Sequence, residues 1–539
     1  MSVADALVAL AWQALVVGAL VGSVWLVSRF ADHQGIGSAL HERFHRGVPW
    51  GSLLVFGWVL GVYLFVQGGL WHPGAPLAIP FSAWSYFSPL GMLFAGFAHV
   101  GPGHLEGNLT TALVFAPLAE YVWGHYSDGT ARITDPRGRA VGFALGVLAV
   151  GIVTSLFSWG PVIGFSGTVF ALIGFVLVRY PLLTVVALAV RSAIRTLTGA
   201  LGDPVSVVEV TAGVSPPWWY GIAIQGHAIG FLIGVLLGIA LLWRRRVDPD
   251  AARLWLGTLL TTLSLSLWAV WWIRGARTYV LYRALGVVLV LALSVLITAA
   301  IAAPKRPLVG EVTLKQTAAG ALVVPLLVMC LVAVPLNLTT VEDTSRDGAV
   351  TAGDYTVFYD EEVEDRMFSV VEIEALGEST NVTTSGVIVT SDERHVWGRE
   401  VSTTALETYG TATVRVGGLT WSEAIHVERT GWIVGDDRIY AVEFETDGER
   451  IHAYDSEPAR ADAVVDGRTI TLLSESGEFL VEVENASARE RAVLPETGEV
   501  RTVNGLTIAN DDGRLVASDD TSAVPIAERE TYAPRNDDR

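Results

Sequence analysis

Lysine is nearly absent from this chain of 539 residues, where Lys305 and Lys315 are the only two. Cysteine is rarer still, and the lone Cys330 excludes a disulfide framework or a cysteine-based metal site within one chain. The stretch 71–103 contains no Asp, Glu, Lys or Arg. Beyond residue 336 the lack is of the opposite kind, since no apolar run there approaches the roughly 20 residues a helix needs to cross a bilayer. These absences divide the chain. Residues 1–336 carry repeated apolar runs and read as a membrane part. Residues 337–539 hold 43 of the 55 acidic and 17 of the 36 basic residues, a formal charge of −26 that leaves +7 to the membrane part. So acidic a tail repels polyanions, which excludes nucleic acid and anionic lipid surfaces as its partners.

Ten membrane spans are expected, near 5–27, 50–70, 104–124, 139–158, 164–179, 181–197, 219–243, 252–273, 279–303 and 316–336. The first is too long for a signal-peptide core and has no basic leader, so it reads as retained. Basic residues stay on the cytoplasmic side of short loops. Arg29, Arg43 and Arg46, then Arg132, Arg137 and Arg139, then Arg244, Arg245 and Arg246, then Lys305 and Arg306 mark alternate loops as inner. Arg274 and Arg277, with Arg191 and Arg195, run against the scheme without reversing it. Both the N-terminus and the acidic domain are then expected outside a plasma membrane. The uncharged stretch 71–103, rich in Trp, Phe, Tyr, Gly and Pro, reads as an interfacial segment in the outer leaflet.

Polar groups within apolar spans are costly, so each is a functional candidate to be weighed against a satisfied packing side chain. In HVGPGHLEGNL, His104 and Asn108 are four residues apart and share a helical face. Glu120, further along, is rotated about 120° away and reads as a tether rather than a site member. In GFSGTVFALIG, Ser166 sits among small residues, and in GHAIGFLIGVLLG, His227 is followed by glycines at every fourth position, including Gly230 and Gly234. Taken singly, a GxSG is common by chance, a lone membrane histidine is more often a packing residue, and glycines spaced by four most often mark a helix contact. Together they converge, because the third, fifth and seventh spans run in one direction and all four polar residues lie in their first turns. On this reading His227 is about 12 Å below the start of its helix. A serine needs a base to become nucleophilic, and imidazole suits that work near neutral pH. Ser166 with His227 gives a dyad needing no cofactor or metal. Asn108, His104 and the Ser166 amide are candidate donors to an oxyanion.

These residues resemble the rhomboid family of intramembrane serine proteases, in which an HxxxN, a GxSG and a GH with glycines spaced by four fall on the second, fourth and sixth core helices. The resemblance covers about 50–245. It implies a six-helix core with Ser166 as nucleophile, His227 as base, and His104, Asn108 and the Ser166 amide as oxyanion hole. It also implies that Gly164 is the motif's first glycine and that Glu120 has a structural role. The expected activity is endopeptidase cleavage in or near transmembrane segments of membrane protein substrates, at small or helix-breaking residues. Many members carry a Trp-Arg pair in the long outer loop, and 71–103 has no arginine, so its anchoring is a departure. The lysine-poor, acidic composition resembles that of salt-loving archaea.

The expected architecture is thus a polytopic α-helical membrane protein with a C-terminal all-β soluble domain. Residues 1–49 form an extra helix and loop, 50–247 the core, 248–336 three further helices, and 337–539 the acidic domain. Apolar β-branched runs at 355–359, 368–373, 439–444 and 469–473 between Gly, Asp and Asn turns argue for β structure. His395, His426 and His452 are scattered and read as solvated. Sequons at Asn337, Asn381 and Asn485 fit an exposed, glycosylatable surface, and the tail PRNDDR reads as disordered. Two rivals differ in class. A rhomboid-like pseudoprotease that binds transmembrane segments without cutting would lack Ser166 or His227, and a transporter would spread its ionisable groups from face to face.

Overall fold

The computed structural model describes residues 3–28, 43–124, 135–202, 217–219, 221–273, 279–304, 307–309, 312–342, 346–366, 374–375, 378–379 and 382–534. The expected strand at 368–373, the sequon at Asn381, residues 535–539 of the tail, and Arg29, Arg132, Arg274, Arg277, Lys305 and Arg306 lie outside the described residues. The chain forms two compact units that part after Leu338.

The first unit is helical. In chain order it contains α1 (Val3–Ser28), α2 (Trp50–Gly61, continued by a π turn over Val62–Val66), α3 (Pro89–Phe94), α4 (Pro102–Trp123), α5 (Pro136–Leu156) and α6 (Ser166–Arg179). Then follow α7 (Pro181–Gly202), α8 (Ile224–Arg245), α9 (Ala251–Ser264), α10 (Arg283–Ala302) and α11 (Leu314–Asn337). By length and composition, α5, α7, α8, α10 and α11 can each cross a membrane.

Local chemistry explains where these helices begin. Pro102 and Pro136 occupy first-turn positions where no backbone donor is needed. The Asp135 carboxylate accepts from the amides of Arg137 and Gly138, Asp250 accepts from Arg253, and Thr313 with Gln316 forms a capping box on α11. Glu120, near the end of α4, is buried and caps a different helix. Its carboxylate accepts from the Gly51 and Ser52 amides at 3.0 and 2.8 Å and from Ser52 Oγ at 2.8 Å, neutralising the start of α2. At the same end of α4, Arg245 donates to the carbonyls of Val122 and Trp123 at 2.8 and 3.0 Å.

Two expected spans require correction. The span at 252–273 is helical only through Ser264; Ser266 then takes a left-handed φ of 59°, and Trp271–Ile273 pairs antiparallel with Tyr279–Leu281. Apolarity extends past the helix because Trp, Val and Ile suit a strand as well as a bilayer. The span expected to start at 219 becomes helical only at Ile224, so His227 is about 4.5 Å into α8 rather than 12 Å. A third correction concerns Asn337, which is fully buried at the end of α11 and does not offer an exposed sequon.

Among the described residues the second unit is all-β apart from the short helix Thr403–Tyr409. An antiparallel sheet orders Val396–Ser402, Thr383–Ser391, Tyr355–Glu364 and Val350–Ala352. An eight-stranded sheet is centred on Ser422–Val434, and a four-stranded meander spans Ala459–Val465 to Arg489–Val493. Trp432, Ile439, Ile470, Leu472, Val481, Ile508 and Leu515 pack together in its core. Five hairpins turn on Asp447-Gly448, Asp466-Gly467, Ser476-Gly477, Asn504-Gly505 and Asp512-Gly513, each with positive φ at both residues. That is the backbone a two-residue type I′ turn requires, and Asp-Gly and Asn-Gly adopt it at least cost. The buried Arg429 guanidinium pairs with Glu530 at 2.8 Å and lies over the Tyr440 ring.

Candidate active site

The glycines of α8 decide how closely it meets α6. A Cβ at Gly230 would lie 1.9 Å from Gly167 O, and one at Gly234 would lie 1.9 Å from Ala171 O. Neither position admits a side chain, so the two backbones touch along their length. Gly174 of α6 completes the seam, facing Phe231 O.

This seam brings Ser166, the first residue of α6, beside His227, in the first turn of α8. Ser166 Oγ and His227 Nε2 are 2.9 Å apart. With Nε2 unprotonated, the hydroxyl donates to it, which is the geometry of a nucleophile with its base. The Phe170 ring, one turn after Ser166, stacks on the imidazole with centroids 4.2 Å apart and planes 8° from parallel, fixing its tilt. Among the described residues His227 Nδ1 has no partner, so no third member orients the ring. Stacking stands where a carboxylate would in a triad.

His104 and Asn108 reach the same place from α4. A Cβ on Gly164 would meet His104 Cε1 at 2.6 Å, His104 Nε2 at 2.9 Å and Asn108 Nδ2 at 3.6 Å. Gly164 also has a φ of 134°, open to glycine and strained for other residues, so it is required twice over. Asn108 is buried, and among the described residues its Nδ2 donor has no partner. An orphaned buried amide donor is costly unless something accepts from it during function. The first amides of α6 likewise have no acceptor within the helix. A small pocket at this point is lined by Ser166, His227, Gly164, Gly96, Thr154 and Ala223 among others.

Behind His104 is His99, fully buried, its ring edge-on to His104 with centroids 5.1 Å apart. The Gln67 side chain grips the backbone here. Its Oε1 accepts from the His99 amide at 2.8 Å, while Nε2 donates to His99 O at 2.8 Å and Leu77 O at 2.9 Å. One neutral amide thus ties both ends of the arginine-free loop to the end of α2. Gln67 and Phe170 escaped the reading of the sequence. The only available signals were a lone amide closing an apolar run and an aromatic at i+4 from the serine.

Residues 82–244 match the family model of the Rhomboid domain. This chain carries a rhomboid domain. The match contains the α4, α6 and α8 segments that supply Asn108, Ser166 and His227, and with the apolar helices it makes the rhomboid a multi-pass membrane protein. No curated protein and no solved structure matches the chain. The match leaves α1, α2, α9, α10, α11 and the β unit of this rhomboid uncovered.

Proposed function

We propose that this rhomboid is an intramembrane serine endopeptidase that cuts membrane proteins in or near their transmembrane segments. The 2.9 Å contact between Ser166 Oγ and His227 Nε2, held inside a helical bundle, is the observation that carries the reading. Ser166 Oγ attacks the scissile carbonyl carbon while its proton passes to His227 Nε2. Asn108 Nδ2, His104 and the Ser166 amide donate to the resulting oxyanion. Collapse breaks the C–N bond, and the leaving amine takes the proton from Nε2. Water then gives a proton to His227 and its hydroxyl to the acyl carbon; the acyl C–Oγ bond breaks, and Nε2 returns the proton to Ser166 Oγ. No metal or cofactor enters this sequence of steps.

The domain plan goes with it: 50–247 as the proteolytic core, 1–49 and 248–336 as added helices, and 337–539 as an acidic domain that recruits or orients substrates. The alternation of basic loops supports an outer position for that domain and for the site, in a plasma membrane. The test is cleavage of a reconstituted, membrane-anchored substrate by wild type, Ser166→Ala and His227→Ala. Cleavage by wild type alone supports the assignment. Equal cleavage by all three refutes it, and binding of transmembrane segments without cleavage would favour a pseudoprotease.

A further inference from the structure

The chain leading into Ser166 is held by a helix outside the matched rhomboid domain. α11 ends at Asn337, which is fully buried. The Asn337 carbonyl accepts from the Tyr86 amide at 2.9 Å, and the Asn337 side-chain amide donates to Ser158 O at 3.0 Å. About two turns back along α11, Met329 O accepts from the Trp159 indole N–H at 2.9 Å. Tyr86 OH donates to Leu156 O at 2.8 Å. The last turns of α11 therefore grip both the long loop and the segment 156–159 that follows α5.

From that grip the backbone has few degrees of freedom left before the serine. Ala83 and Val162 form a bridge with N···O distances of 2.9 and 3.4 Å, and the Gly164 amide donates to Ala95 O at 2.8 Å. The long loop reached through Tyr86 supplies both of those partners. Gly164 is the residue against which His104 and Asn108 pack. Irregular backbone at membrane depth persists only where protein or water satisfies its polar groups. Ser158 is fully buried, and the Asn337 amide serves its carbonyl.

We propose that Asn337 is a positioning residue for the Ser166 site. The end of α11 sets the placement of 157–165, and through it that of Gly164 and the first turn of α6. This rests on the hydrolase reading above. It assigns an appended helix to the scaffold of the site and explains how the loop is anchored without an arginine. Asn337 touches neither Ser166 nor His227, so its effect is on their alignment and on the oxyanion donors.

The test uses the full-length protein in proteoliposomes. Asn337→Ala removes the amide donor while keeping the backbone carbonyl that holds Tyr86, and Trp159→Phe removes the other α11 contact while keeping a ring. Three quantities are read for each: kcat and KM on a membrane-anchored fluorogenic peptide, the rate constant and amplitude of Ser166 labelling by a fluorophosphonate, and the thermal midpoint. Asn337→Ala is expected to lower kcat and the labelling rate constant about tenfold, the scale of one buried hydrogen bond spent on alignment, with KM within twofold. Trp159→Phe is expected to act in the same direction by a smaller factor. A lower labelling amplitude and midpoint with an unchanged rate constant would make Asn337 merely structural and overturn the proposal. Wild-type labelling that Asn337→Ala leaves unaltered overturns it alone. A wild type that neither cleaves nor labels at Ser166 overturns the hydrolase reading as well.

Discussion

Replacing Gly230 by alanine tests whether helix contact, rather than the mere presence of two residues, makes the site. The new Cβ would stand 1.9 Å from Gly167 O, where ordinary contact begins at 3.4 Å. The obstacle is backbone on a packed helix, so α6 and α8 must separate by up to 1.5 Å, the difference between those distances. A Ser166–His227 contact of 2.9 Å does not survive an opening of that size. Misplacement of reacting groups by about 1 Å costs on the order of 10²-fold, and loss of a general base 10²–10⁴-fold. The expected fall in kcat/KM is therefore at least about 100-fold, or ~2.7 kcal/mol of transition-state stabilisation. Overpacking should cost a further ~1–3 kcal/mol of stability. Cleavage in proteoliposomes, with thermal unfolding alongside, reads both. Gly57→Ala in α2, whose Cβ would meet nothing within 4 Å, is the matched control. A folded Gly230→Ala protein that turns over like wild type would refute the reasoning.

Other expectations follow from the same geometry. Ser166→Ala and His227→Ala should each abolish cleavage, and the double variant should be no worse than either single one, because the pair acts as a unit. Glu120→Ala removes three hydrogen bonds from the start of α2 and should lower stability by about 2–4 kcal/mol, read as a lower thermal midpoint, while the surviving folded fraction keeps its turnover. In the β unit, burial works against the charge on Asp354, but hydrogen bonds from Arg394 and Ser391 outweigh it and hold the carboxyl below its ordinary value of 3.8. Because the folded pKa is the lower one, its stabilisation is present above that value and is lost as pH falls through the folded pKa. Asp354→Asn should thus lower the midpoint of β-unit unfolding at pH 6 and converge on wild type in strong acid; a deficit independent of pH would refute the ion-pair account.

How much of this could be read in the sequence depended on how local the physics was. Asp447-Gly448 and Asn504-Gly505 announce their turns because two adjacent backbones must be left-handed, a demand that dipeptides reveal. His104 and Asn108 could be paired because four residues make one helical turn. Helix starts were less legible, since hydropathy marks what lipid tolerates rather than where hydrogen bonding begins. That is why α8 begins at Ile224 and α9 stops at Ser264. Asn337 was misread because a tripeptide motif carries no information about burial. The Arg429–Glu530 pair, 101 residues apart in sequence, had no local signal at all.

The length of α6 has a consequence of its own. Its 14 residues rise about 21 Å, well short of a hydrocarbon core of roughly 30 Å. On the proposed intramembrane reading, with Arg179 at one end, the count of residues between it and Ser166 would set how far beneath the membrane face the hydroxyl stands. Each residue added or removed along that length would shift the Ser166 hydroxyl by about 1.5 Å, and one extra turn by about 5 Å. Immersion is therefore a quantity that evolution, or an experimenter, can dial by insertion. If the proposed activity holds, the residues around Ser166 decide what reaction is available, and the span behind them decides which part of a passing polypeptide is within reach.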